Sequence, residues 1–466
     1  MASTSGVVSS STHYSSLSSE DNDSLSPSVL TSLPSQSIPF AILGSSILLP
    51  WSILISSFPY AISLLSPSSP LLTSLIPTLS LVSTLTNLFA LGWLTYRAAT
   101  ASTTSLPSPS ITLLPPKDQA RTQARAIQIS LVGLLLLHVL FLLAVLLVRP
   151  GGTGWGILSG LGIWTVGSMI LVSYLQTNVM SYSSLFGPKE IGATQLGNGM
   201  IAITVSFVQV VTSFLGPKGN RTDEGSSMKH STVVFVFVGI LLLISALFVQ
   251  KHLTTTFQHQ NTLSSPSLSP SLPLPTSRPK SSAFETFKTN WMLNVAVFGV
   301  FAVTLSVFPA VTSTVRPVGT GWGKSFDVWV PIGFFLFNFG DCIGRLAVSF
   351  CIIRSHIQLL VASLLRAVIF IPLFLGCNVN PLGNQVPVGT HPWGDGVFLT
   401  GLVLLGLSNG WITSNVMILA SSPSLNPQLK VSEQELASTI AVFSLVSGLV
   451  AGSGGSFVVG SLSRLQ

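Results

Sequence analysis

Charge is what this chain has least of. Lys and Arg number 20 and Asp and Glu 13, together 7% of 466 residues. A soluble domain carries about a quarter. So few charges could not cover the surface of a 49.2 kDa globule, which excludes a cytosolic globular enzyme. The net charge of +7 comes from sparse basic residues, so no nucleic acid partner is expected. Cysteine is scarce too. Cys342, Cys351 and Cys377 lie in apolar runs without metal-ligand spacing, so neither a metal site nor a disulfide framework is expected, and all three read as small core residues. There is no paired carboxylate set and no His-Glu-x-x-His, so no enzyme is predicted.

What the chain does have is hydrophobicity: 47% apolar residues and a mean hydropathy of +0.67. These values require many membrane spans. The first 37 residues hold 15 serines and no Lys or Arg. They read as a disordered tail (1–37), without the basic start and short apolar stretch of a signal peptide. Apolar runs then follow near 38–59, 71–96, 126–148, 157–182, 192–215, 232–250, 289–312, 328–352, 356–376, 396–420 and 436–460. Eleven transmembrane helices are therefore expected, since lipid offers no partner to an open strand edge. Between the sixth and seventh runs lies a Ser/Pro-rich stretch with Pro266, Pro270, Pro273, Pro275 and Pro279. It reads as a flexible linker, 251–288. The chain thus divides into a six-helix bundle (38–250), the linker, a five-helix bundle (289–460) and a short tail (461–466). Basic residues favour the linker side, eleven against seven across the loops, which puts the N-terminus in the cytosol. On that topology the sequon at Asn220 faces outward and is a possible glycosylation site, whereas Asn22 faces inward.

One motif repeats. Residues Arg149 to Gly156 recur as Arg316 to Gly323. No phosphate-loop context surrounds either copy, so both read as tight loops with an interfacial Trp.

Ionisable groups inside spans are costly, and a functional role is the default reading. In the eighth span Asn338, Asp341 and Arg345 fall at i, i+3 and i+7, on one helical face. The acid precedes the base by four residues, the better order for a pair. A structural lock between helices is the plain alternative. Asn338 extends the stripe beyond what a lock needs and favours a cavity for a hydrophilic solute. In the first span Pro50 breaks the backbone ladder, and Trp51 lies mid-span beside it. That indole could stack on a planar ring or simply pack. Gln176 and Asn178 are neutral amides in the fourth span. Either could bind a heterocycle edge or a ribose hydroxyl, or bond between helices. His138 reads as a packing residue more readily than as a proton relay. Arg366 needs a carbonyl or an acid. Ser444, Gly448, Gly452 and Ser456 make a small-residue face for helix packing.

Several ordered motifs together resemble the equilibrative nucleoside transporter family. Leu48-Leu49-Pro50-Trp51 is similar to its first-helix motif. Gln176 followed by Phe186-Gly187-Pro188-Lys189 and Gly197-Asn198-Gly199 is similar to its fourth and fifth helices, and residues 304–310 to its seventh. Phe337-Asn338-Phe339-Gly340-Asp341-Cys342-Ile343-Gly344-Arg345 resembles its Phe-Asn-x-x-Asp-x-x-Gly-Arg signature. Pro372-Leu373-Phe374, Cys377-Asn378-Val379 and Leu407-Ser408-Asn409-Gly410 resemble the ninth and tenth helices. Ser52 stands where the family usually has Asn, and Ser438 where Gly is usual. The tail and linker resemble those of fungal members.

The resemblance implies an all-α integral membrane fold, eleven transmembrane helices in a six-plus-five two-bundle, major-facilitator-like arrangement. It implies facilitative transport of nucleosides, with nucleobases as a further candidate class, by alternating access, without a cofactor. A proton-coupled nucleoside carrier is the alternative, and a membrane receptor or channel the alternative of another class. The implied substrate-binding residues are Trp51, Ile55, Gln176, Phe334, Asn338, Asp341 and Arg345. Gln176 would take the base edge, Asp341 and Arg345 the ribose hydroxyls, and Phe334 a wall. The expected partners are small-molecule nucleosides and membrane lipid. A monomer in the plasma membrane or vacuolar membrane is expected.

Overall fold

A computed structural model describes residues 36–65, 71–103, 116–147, 154–215, 221–263, 283–318, 326–379 and 393–462. The expected 1–37 tail therefore lies almost wholly outside the described residues, as do Asn22, Asn220 and most of each Gly-rich repeat.

Six long helices come first: α1 (Ser37–Ser63), α2 (Leu71–Thr103), α3 (Pro116–Leu147), α4 (Gly154–Phe186), α5 (Pro188–Leu215) and α6 (Arg221–Leu263). A short α7 (Ala283–Thr289) leads into α8 (Trp291–Val307), α9 (Phe326–Ala347), α10 (His356–Leu375), α11 (Asp395–Ala420) and α12 (Gln434–Leu462). Eleven long helices thus stand where eleven apolar runs predict them. Ten are long and apolar enough to cross a membrane by length and composition. The eleventh, α4, has 33 residues, ample for a span at about 1.5 Å per residue. The only bridge of strand type among the described residues joins Val315 and Val379. The chain is a multi-pass integral membrane protein.

Helix ends follow local chemistry. α4 and α5 are separated only by Gly187, whose φ of 128° is open to glycine and to few other residues. Pro188 then starts α5, where its missing N–H costs nothing. α8 stops at Val307, because Phe308 precedes Pro309 and is extended, with φ −115° and ψ 132°. The seventh run was expected to continue helical to 312. Instead this turn swings the Phe308 ring onto Phe337, 4.1 Å between centroids. The expected linker is helical at both described ends, since α6 continues to Leu263 and α7 begins at Ala283.

The helices form two groups. α1, α3, α4 and α6 share one apolar core around Phe40, Leu54, Leu131, Leu175 and Leu243. The second half packs around Leu293, Val300, Val416 and Val446 and around Val307, Phe374 and Leu402. α2 and α4 meet α12, and α5 meets α9 and α11, which joins the groups.

Close approach depends on small residues, as expected where lipid supplies no hydrophobic drive between helices. On α9 a Cβ at Gly340 or Gly344 would overlap the carbonyls of Val403 or Leu407 on α11. From the other side, Gly406 and Gly410 abut the carbonyls of Phe337 and Asp341. Gly448 and Gly452 of α12 likewise sit on α8 at Phe298 and Ala302, the role their spacing predicts. Of the cysteines, Cys377 is buried and Cys342 half-buried, but Cys351 is exposed. It follows the end of α9 rather than lying within the span, which corrects its expected core position.

Candidate functional site

Where α1, α2, α4 and α5 face α8, α9, α11 and α12, they line a cavity of about 260 Å³. That is just below the roughly 300–1,000 Å³ of typical small-molecule sites. All seven residues singled out from the sequence line it: Trp51, Ile55, Gln176, Phe334, Asn338, Asp341 and Arg345. They come from three helices in both groups, so no single segment could make the site.

The stripe on α9 is built as its spacing predicts. Arg345 donates through Nε to Oδ2 of Asp341 at 2.7 Å, and both side chains are 7% exposed. The pair does not stand alone. Arg345 Nη1 donates to the Gln195 carbonyl at 3.1 Å and to Gln195 Oε1 at 2.8 Å, which ties α9 to α5. Asn409 on α11 donates to Asp341 Oδ1 at 2.7 Å. An ion pair in a low-dielectric interior is tolerable only with such added bonds, because desolvating both charges costs several kcal/mol per ion. The glycines set the spacing: Gly410, one residue after Asn409, lets α11 touch the backbone of α9 at Asp341.

A different class of polar group lines the rest. Among the described residues, the side chains of Trp51, Gln176 and Asn338 make no hydrogen bond to protein. Two amides thus bring both donor and acceptor capacity to the cavity unspent. Trp51 is half-buried against the first core. On the opposite wall Phe334 and Phe308 meet edge to face at 5.2 Å. A planar aromatic solute would find an indole on one side, phenyl rings on the other, and free amides and a buried ion pair along its edge.

The residues left open by the sequence separate cleanly. Asn178 donates to the Tyr174 carbonyl at 2.8 Å and is not in the cavity lining. It is a local structural amide. His138 is fully buried and off the cavity, with Nδ1 2.7 Å from the Leu134 carbonyl and its ring edge-on to Trp164 at 5.5 Å. Packing is its role here. Arg366 finds carbonyls, not an acid: Nη1 donates to Val300 O at 2.7 Å and Nη2 to Leu405 O at 3.1 Å. Ser52 lines the cavity and donates back to the Leu48 carbonyl at 3.1 Å. Sequence reasoning missed Gln195, Thr304, Asn409, Asn87 and Gln209 as lining residues. The first signal available for Asn409 and Thr304 was their position inside quoted motifs.

A multi-pass helical membrane protein with a solute-sized cavity between two helix groups is the class that fold and site define. The model of the family described as "Nucleoside transporter" matches residues 168–460, and the chain belongs to that family. Equilibrative nucleoside transporter 2 of Rattus norvegicus is 35% identical over 185 residues, covering 39% of this chain and 39% of that protein. Equilibrative nucleoside transporter 1 of Homo sapiens is 30% identical over 169 residues, 36% of this chain and 35% of that protein. Equilibrative nucleoside transporter 3 of Rattus norvegicus is 26% identical over 335 residues, 67% of this chain and 68% of that protein. The match to the first of these thus spans about two fifths of its length.

Proposed function

We propose that the chain carries nucleosides across a membrane by facilitated, alternating-access transport. The observation that carries this reading is the division of polar groups in the cavity. Asp341 and Arg345 are held by neighbours, whereas Gln176, Asn338 and the Trp51 indole are unspent. Unspent amides in an apolar wall have a cost that a bound solute would offset. A heterocyclic base meets Trp51 and Gln176, and ribose hydroxyls meet the Asp341–Arg345 pair. Family membership and the names of the similar proteins support the same substrate class.

The two groups of helices supply the mechanism. They meet along α5–α9 and along α2 and α4 with α12, and rocking there would expose the cavity to each side in turn. The N-terminus and residues 251–288 are taken as cytosolic, and the chain acts as a monomer in the plasma or vacuolar membrane.

The test is uptake of labelled uridine and adenosine into proteoliposomes, with and without a pH gradient. Saturable uptake that reaches equal concentrations inside and out, indifferent to the gradient, is expected. Uphill accumulation driven by the gradient would replace the reading with proton coupling. No saturable uptake of either would end it.

A further inference from the structure

Arg366 is 2% exposed and, among the described residues, makes no ion pair. It does not line the cavity. Its donors nonetheless lead there. Nη2 donates to Thr304 Oγ1 at 2.9 Å. That hydroxyl has one hydrogen of its own. Two acceptors lie within its reach at 2.8 Å, the Val300 carbonyl and Asn409 Oδ1. The carbonyl already accepts from Arg366 Nη1 at 2.7 Å, whereas Thr304 is the one donor to Asn409 Oδ1 among the described residues, so the hydrogen serves Asn409. The Asn409 amide nitrogen then faces Asp341 Oδ1 at 2.7 Å. Both ends agree on this amide orientation, because an ionised carboxylate accepts and never donates. The result is a one-way relay from a guanidinium through a hydroxyl and an amide to a carboxylate, across α10, α8, α11 and α9. Charge at each end strengthens every bond between.

We infer that Arg366, Thr304 and Asn409 are positioning residues that fix the Asp341 carboxylate for its ligand hydroxyl. The inference rests on the nucleoside reading above and deepens it. Arg345 takes Oδ2 of Asp341 through Nε at 2.7 Å and reaches Oδ1 through Nη2 only at 3.5 Å, against 2.7 Å for Asn409. The relay holds Oδ1 from the other side, so the carboxylate cannot rotate about its own axis. Its remaining lone pairs keep one direction. A ribose hydroxyl is then read by geometry as well as charge, and a sugar lacking that hydroxyl is rejected.

The experiment compares uridine with 2′- and 3′-deoxyuridine in proteoliposomes holding the full chain, with rates normalised to inserted protein. Thr304→Val keeps the shape and removes both links of the hydroxyl. It is expected to raise the KM for uridine about tenfold, the scale of one hydrogen bond to a charged group, and to leave at least one deoxy form within about twofold. Thr304→Ser, which restores the hydroxyl, should restore the ratio. Arg366→Lys lies outside the cavity and keeps the charge but not the fork. It should narrow the same ratio, which a direct contact between Thr304 and ligand would not explain. A purely structural role would lower the maximal rate for all three substrates with the KM ratio unchanged, and that result overturns the relay. So does a well-inserted Arg366→Lys with the wild-type ratio. If Arg366→Lys fails to insert, the two Thr304 variants decide. Wild-type protein that takes up no uridine, or does not discriminate the deoxy forms, overturns the cavity reading itself.

Discussion

At the scale of single residues, the polar side chains of this membrane interior sort by whether their bonds are already made. Gln176 has none to protein and Asn178 has one to the Tyr174 carbonyl, though they lie two positions apart. Replacing Gln176 by Ala should weaken apparent affinity for adenosine by about 1–2 kcal/mol, the cost of one buried bond left unmet. Asn178→Ala should leave affinity unchanged. Trp51→Ala should weaken uridine and adenosine alike, because stacking ignores base identity. Equal KM values for adenosine in wild type and Gln176→Ala, at equal expression, would remove Gln176 from the site. The ion pair gives a second forecast. Asp341→Asn or Arg345→Gln alone strands a charge in low dielectric, a loss of about 3–5 kcal/mol. The double neutral variant should recover thermal stability in detergent and still fail to transport. A stable double variant with normal uridine uptake would leave the pair as a lock between α9 and its neighbours.

At the scale of elements, helix existence was legible and helix partnership was not. Hydropathy marks a span wherever lipid must be faced, so eleven runs foretold eleven long helices. The i, i+3, i+7 stripe of Asn338, Asp341 and Arg345 was legible for a similar reason: helical spacing is local. Asn409 and Gln195 were not read, because an amide in a span looks the same whether it faces a cavity or a carbonyl. Only the contacts of α11 and α5 with α9 decide it. Arg366 was unreadable in another sense. Two of its four partners are backbone carbonyls, which have no sequence signature, and the other two are the Ser408 and Thr304 hydroxyls. The seventh run misled at its end because hydrophobicity continues past Pro309 although the helix does not. Interhelical glycines turn this into a prediction. Gly410→Val would drive a side chain into the Asp341 backbone, costing at least the roughly 1–3 kcal/mol of ordinary overpacking. The melting temperature should fall sharply. Gly460→Val, with open space around it, should melt as wild type. Equal melting of the two variants would deny that α9 and α11 need their close approach.

At the scale of the whole molecule, side-chain hydrogen bonds join the two helix groups at the start of α12. The start of α12 is clamped to the first group. Gln434 donates to the Ser184 carbonyl at the end of α4, and Gln123 of α3 donates to Glu435 at 3.1 Å and to Ser181 at 2.7 Å. On the proposed topology this is the cytosolic end, where these bonds would hold the cavity closed. Alternating access then requires the opposite face to be the open one in this state. Gln209 lies on the cavity wall toward that face, nearly four turns along α5 from Gln195. In a chain whose three cysteines are replaced, Gln209→Cys should react with an impermeant thiol reagent added outside intact cells, and saturating uridine should slow it. Ser184→Cys should stay protected from reagent on the cytosolic side of inverted vesicles. Removing the clamp by Gln434→Ala with Glu435→Ala should expose Ser184→Cys and slow labelling at Gln209→Cys, because the population moves toward the opposite state. The shift can be no larger than the differential stability that those few bonds supply, so a change of several-fold is expected, not a switch. Unaltered labelling at both positions in the clamp variant would mean that these bonds do not hold the two groups in this state.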